Sequence, residues 1–284
     1  MVDFLIVASR SAKNGRTELY PKFRMYPKSK DLMIRGGDFY AIWDDKKGLW
    51  STNEDDALAL IDEQLEAKRA EMGNPENVSI MYTWDSSSGS VDQWHKYCQK
   101  QHRDSFQMLD ENIVFANDNT TRENYASKKL PYALEKGSID AYEKLVSTLY
   151  SEKERHKLEW GIGSIVTGAS KDLQKFFVLY GAAGTGKSTV LNIIQKLFEG
   201  YYSVFDAKAL GSSSNTFALE AFKTNPLVAI QHDGDLSKIE DNTRLNSLVS
   251  HELMTVNEKF KSTYSNRFKC LLFMGTNKPV KITD

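Results

Sequence analysis

The spacing of apolar positions changes along the chain and divides it into three stretches. In the first, polar and apolar residues alternate. "LMIRGGDFYAIWDDKKGLWST", residues 32–52, predicts a small β-hairpin element with turns at Gly36–Gly37 and Asp45–Gly48. "NEDDALALIDEQLEAKRAEM" follows with a helical period, an acidic first turn and a cap at Asn53 or Thr52. "VSIMYTW" predicts a further strand, and "SSSGS" at 86–90 a linker. From Val91 to Gly168 the apolar residues recur at helical spacing, as in "SVDQWHKYCQKQHRDSF" and "EKERHKLEWGIGSIVTG".

The third stretch alternates strands and helices. "KFFVLY" predicts a strand, followed by a helix from Lys187, a strand at "YYSVF" and a helix over 217–223. The strand "LVAI", a helix over "RLNSLVSHE" and the strand "CLLFMG" complete it. Such alternation predicts a parallel sheet. The expected organisation is a small α+β element over 1–90, a helical segment over 91–168 and an α/β core over 169–284.

Composition narrows the functional classes. Of 284 residues, 40% are hydrophobic and 26% charged, as in globular domains. The formal net charge is −1, so nucleic-acid binding would need a local patch instead of a global field. Two cysteines, Cys98 and Cys270, make neither a disulfide framework nor a metal set, and a reducing cytoplasm is the expected compartment. No apolar run approaches the roughly 20 residues of a membrane span. The N-terminal apolar patch has no basic region before it, so no signal peptide is expected.

The strongest chemical signal is "GAAGTGKS", Gly181 to Ser188, which fits G-x-x-x-x-G-K-[ST] between a predicted strand and a predicted helix. Glycines let backbone N–H groups turn toward phosphate oxygens, and the helix N-terminus adds partial positive charge. Phosphate contacts are expected from Gly181, Ala182, Ala183, Gly184, Thr185, Gly186, Lys187, Ser188 and Thr189. Lys187 would reach the β- and γ-phosphates of ATP, and Ser188 would offer its hydroxyl to Mg²⁺.

"LVAIQHDGDLS", Leu227 to Ser237, reads as a buried strand delivering a carboxylate to that metal. Gln231 and His232 stand where acids are expected, and the acids come at Asp233 and Asp235. Asp233 is taken as the group for the metal or its water, with Asp235 second and His232 as a neighbour of the site. A turn at Gly234 absorbs the shift, so this reads as a working site. At the tip of "CLLFMGTNKP", Asn277 would orient the water near the γ-phosphate. Residues 259–281 carry Lys259, Lys261, Arg267, Lys269, Lys278 and Lys281 without an acid, interleaved with Phe260, Tyr264 and Phe268. That composition suits single-stranded nucleic acid and equally a solvated hairpin with a charged face.

The order of these elements, from Gly181 to Asn277, resembles a superfamily III helicase of the phage and poxvirus primase–helicase type. Gly181, Gly184, Gly186, Lys187 and Ser188 match the first motif; Asp233 and Asp235 fall in the second. Lys259 and Lys261 match the basic motif of the DNA-contacting hairpin, and Asn277 the sensor. The resemblance covers roughly 91–284 and implies an α/β, AAA+-like P-loop sheet preceded by a helical segment. It implies an ATP- and Mg²⁺-dependent DNA helicase, working as a hexameric ring on single-stranded DNA, with primase or replication partners, in the host cytoplasm and without a membrane. It also implies an arginine finger and a further subdomain beyond Asp284, Arg267 being a weak substitute, so slow turnover is expected of this chain alone. Two other readings stay open: a nucleotide-binding assembly module without efficient hydrolysis, and a P-loop small-molecule kinase. The latter is weakened by the lack of an evident arginine-rich lid.

Overall fold

Strands buried on both faces read as continuous apolar runs, and two such runs, at Leu227–Ile230 and Cys270–Met274, build the centre of one sheet. This is seen in a computed structural model of the chain, which describes residues 2–34, 40–85, 89–102, 107–212, 215, 217–235, 241–257 and 264–279. The expected Gly36–Gly37 turn and residues 86–88 of the expected linker lie outside the described residues. The chain divides into two compact units, residues 1–109 with 119–127, and residues 110–118 with 128–284. The helical segment read over 91–168 is therefore shared: its first helix belongs to the first unit and its other two to the second.

The first unit is mixed α/β. Strands β1 (Leu5–Ser11) and β2 (Thr17–Phe23) pair antiparallel. Strands β3 (Leu32–Ile34), β4 (Tyr40–Asp44) and β5 (Leu49–Ser51) form an antiparallel meander, the expected hairpin element with one strand more. Helix α1 (Glu54–Ala70) starts where Asn53 accepts the backbone N–H of Asp55 at 3.1 Å, so Asn53 and not Thr52 is the cap. The strand expected over 78–84 is only Val78–Ile80, β6, which joins β2 in parallel. Helix α2 (Ser90–His102) contributes Trp94, Tyr97 and Cys98 to a core shared with Phe4, Leu5, Leu19, Ile61 and Leu65. The strap 119–127 is fastened to this unit by Arg122. Its guanidinium bonds Asp31 at 2.7 Å and lies 5.3 Å from the centre of the Trp43 ring, while its carbonyl accepts Trp50 Nε1–H.

In the second unit, helices α3 (Asp140–Leu149) and α4 (Glu152–Val166) precede the sheet. A capping box of Ser151 and Glu154 starts α4. Four parallel strands run in the order β7 (Phe177–Tyr180), β12 (Leu271–Thr276), β9 (Val228–Gln231), β8 (Tyr202–Val204). Alternate residues face opposite cores. Val228, Ile230, Leu271 and Phe273 pack with Leu158 of α4 and with Val190, Leu191 and Ile194 of helix α5 (Lys187–Leu197). Ala229, Leu272 and Met274 face a second core. It includes Ala207 and Leu210 of the short helix α6 (Ala207–Leu210) and Leu245 and Leu248 of α7 (Thr243–Val249). The sheet is thus covered on both sides, which is why its strands carry no polar alternation. The helix expected over 217–223 is only a 3-10 turn at Glu220–Phe222. Helix α7 ends before the expected Glu252 because His251 takes a left-handed backbone, φ +54°. An antiparallel pair, β10 (Leu253–Val256) and β11 (Tyr264–Arg267), flanks the first part of the basic stretch, Lys259 to Lys261.

Candidate functional site

Parallel pairing aligns the ends of three strands. Thr276 of β12 lies opposite Tyr180 of β7, and Met274 opposite Gln231 of β9. The segments that follow β7 and β9 are both tied to the end of β12: Gly181 N–H donates to Thr276 O at 3.3 Å, and Gly234 N–H to Gly275 O at 2.9 Å. The glycine loop, the acidic turn and the Thr276–Asn277 tip therefore meet at the C-terminal end of the sheet's strands. Sequence distance between them is large; the register removes it.

Gly181 to Gly186 forms a turn between β7 and α5, with Gly186 as the residue before the first helical turn and Lys187 and Ser188 opening the helix. Gly184 and Gly186 have φ of +78° and +79°, a region where a Cβ is strained. Among the described residues nothing lies within 4 Å of a Cβ built on Gly184. A Cβ on Gly186 would come 2.7 Å from Leu149 Cδ2, so the end of α3 closes on the back of the loop. Lys187 folds into the loop, donating to Gly181 O at 2.8 Å and Ala182 O at 2.7 Å, with Thr185 Oγ1 at 3.4 Å. Thr185 also donates to Ala182 O at 2.9 Å. Ala182 and Ala183 of the turn and Ser188 and Thr189 in the first turn of α5 are exposed.

The acidic turn answers the displacement of the acids. Gln231 is buried, and its side chain accepts Ala207 N–H at 3.2 Å, which fixes α6 to the strand. His232 Nε2 sits 2.9 Å from Gln195 Oε1, while Gln195 Nε2 donates to Tyr202 OH at 2.9 Å. Because that amide nitrogen is the donor toward Tyr202, its oxygen receives a hydrogen from His232 Nε2. Both residues are thus structural ties, and Gly234 packs on one of them: a Cβ there would fall 2.3 Å from Gln231 Nε2. A Cβ on Gly275 would fall 2.4 Å from His232 O, so the turn lies directly on β12 at a glycine.

Asp233 is exposed, and among the described residues its carboxylate has no ion-pair partner. Asp235 is half-buried and takes Lys278 Nζ at 2.7 Å. Lys278, read as part of a basic strip, is thus a member of this site. Asn277 is exposed at the tip, while the buried Thr276 exchanges hydrogen bonds with Lys278 through its hydroxyl. Among the described residues no group of three His, Cys, Asp or Glu could cage a metal. A Mg²⁺ held by one or two protein groups, phosphates and water needs no such cage.

The residues expected to meet nucleic acid fare differently. Lys259 and Lys261, with Phe260, lie outside the described residues, in the connection between β10 and β11. Phe268 is 1% exposed and packs on Phe222 in the core, so it is no stacking platform. Arg267 lies exposed at the end of β11. The linear pattern carried no sign of Gln195, Lys278 or Leu149 as neighbours of the loop and acids, since each reaches the site from another element.

Residues 179–284 match the model of a family described as a family of unknown function (DUF5906). No curated protein matches the chain. Among solved structures, the A-form apo structure of the NrS-1 C-terminal region is similar, with a TM-score of 0.51 and 13% identity over 88% of this chain. A second apo structure of that region gives a TM-score of 0.50 and 13% identity over 90% of this chain. The chain spans 55% and 57% of those two chains, and at this identity the likeness is one of fold.

Proposed function

We propose that the second unit binds ATP with Mg²⁺ at the C-terminal end of its parallel strands and hydrolyses it, as an AAA+-like superfamily III helicase module used in DNA replication. The observation that carries this reading is the convergence of the glycine loop, the acidic turn and the Asn277 tip on the end of β12. The donor set suits a triphosphate. Loop N–H groups and the start of α5 supply phosphate donors. Lys187 already lies inside the loop on two carbonyl oxygens and would exchange them for β- and γ-phosphate oxygens. Ser188 and Asp233 would hold Mg²⁺, which when bound neutralises charge developing on the phosphates. Asp235, steadied by Lys278, backs Asp233, and Asn277 would orient the attacking water. Single-stranded DNA is assigned to Lys259 and Lys261 on the composition of their stretch and on the resemblance of its place in the motif order.

The test is steady-state ATP turnover with and without single-stranded DNA, for the native chain and for Lys187→Ala. Metal-dependent hydrolysis that rises with DNA and disappears in a folded Lys187→Ala protein is expected. Undiminished turnover by that variant would sink the site.

A further inference from the structure

The first unit carries a charge asymmetry that the nucleotide site does not use. Residues 5–30 hold seven basic side chains, Arg10, Lys13, Arg16, Lys22, Arg24, Lys28 and Lys30, against one acid, Glu18. The whole chain has a net charge of −1, so this is a local excess. The compensating charge is nearby in sequence but on the opposite side of the sheet. Residues 53–71, which include α1, hold seven acids against Lys68 and Arg69. Strand alternation decides the sides. Leu5, Val7, Leu19, Phe23, Val78 and Ile80 face inward with Ala57, Ile61 and Leu65 of α1. The opposite face presents the cross-strand pairs Ile6–Lys22, Ala8–Tyr20 and Arg10–Glu18.

That outer face is arranged for a planar, anionic ligand. Glu18 holds Arg10 at 2.6 Å, and the Arg10 guanidinium lies 5.4 Å from the centre of the Tyr20 ring. The face's one acid is thereby neutralised, and a guanidinium and an aromatic ring are ordered at mid-sheet. Ile6 is 41% exposed beside the exposed Lys22. Lys13 and Arg16 extend the face at the β1–β2 turn, and Lys13, Arg16 and Lys22 make no ion pair among the described residues. Basic groups track phosphates, while aromatic rings and guanidinium planes stack on unpaired bases.

We propose that the outer face of the β1–β2–β6 sheet binds single-stranded nucleic acid, with Tyr20 and Arg10 meeting bases and Lys13, Arg16 and Lys22 meeting phosphates. Ile6 is the one large apolar side chain exposed on the paired positions, which gives too little apolar area to enter a lipid surface. The surface does not depend on nucleotide hydrolysis.

The experiment is fluorescence anisotropy of a labelled mixed-sequence single-stranded oligonucleotide with the full chain, without nucleotide, across a salt series. It is repeated in a Lys187→Ala background, so failure of the nucleotide site leaves the measurement intact. The triple variant K13E/R16E/K22E should weaken binding and lower the log–log salt slope by about two units, the loss of three single-strand phosphate contacts. Tyr20→Leu should weaken single-strand binding more than duplex binding, with the salt slope unchanged. Circular dichroism melts confirm that both variants fold. Unchanged affinity and slope in the folded triple variant would overturn the proposal. So would binding of phosphatidylserine vesicles in place of the oligonucleotide, or equal effects of Tyr20→Leu on single strand and duplex.

Discussion

At the scale of single residues, the two acids after β9 are distinguished by what already holds them. Asp235 is partnered by Lys278, whereas Asp233 is exposed and free of ion pairs among the described residues. A carboxylate meant for a metal is better left unpaired, so Asp233 is the acid we propose for that role. Asp233→Asn should lower metal-dependent turnover by about 10²-fold or more, the scale of losing one group that stabilises developing charge, while nucleotide binding persists. Asp235→Asn should cost less activity. Its ion pair is open to solvent on the Lys278 side, so stability should change by about 1 kcal/mol or less. Turnover rates and nucleotide affinities of the two variants check this, and a reversed order of damage would hand the metal role to Asp235. Gln231 and His232 show why the acids come late. One side chain anchors α6 and the other meets Gln195, so both positions serve packing.

At the scale of elements, α4 illustrates how a local preference yields to packing. Gly161 sits mid-helix, where alanine would be favoured by about 1 kcal/mol. A Cβ there would lie 2.6 Å from the Phe177 ring, and that ring stacks on Phe273 with centroids 5.0 Å apart. The ring has nowhere to retreat without disturbing β7 and β12. Overpacking of this kind costs about 1–3 kcal/mol, so it outweighs the propensity gain. Gly161→Ala should therefore lower stability, and because β7 leads into the glycine loop it should also reduce nucleotide affinity. Urea unfolding monitored by circular dichroism, together with nucleotide titration, tests this; a variant as stable as the parent would show that the helix shifts away freely.

At the scale of the whole molecule, each unit holds one thiol. Cys98 lies in the core of the first unit and Cys270 in that of the second, 3% and 2% exposed. Burial disfavours the thiolate, pushing the Cys270 thiol up to about 12 and raising that of Cys98 as well. The reactive thiolate is therefore scarce at pH 8 in the folded chain. Neither cysteine should react rapidly with a thiol reagent under native conditions. In a urea series each should become reactive as its own unit opens, which mass spectrometry of the labelled peptides would resolve. Fast native labelling of either would contradict the packing of that core.

The alternation of strands and helices after Lys175, the glycine loop at its strand–helix junction and the start of α1 to within a residue were all legible from the chain itself. Each rests on interactions between residues a few positions apart, which local spacing records. The order of the strands, with β12 standing between β7 and β9, was not legible, because it depends on which apolar edges find one another across nearly a hundred residues. The same holds for Lys278 on Asp235 and for Phe268, whose place among basic residues hid a core position. It holds too for the outer face of β1 and β2, where alternation predicted strands but only the packing of α1 decided which face stayed open. Local chemistry named the parts of the site; long-range register and burial chose their neighbours.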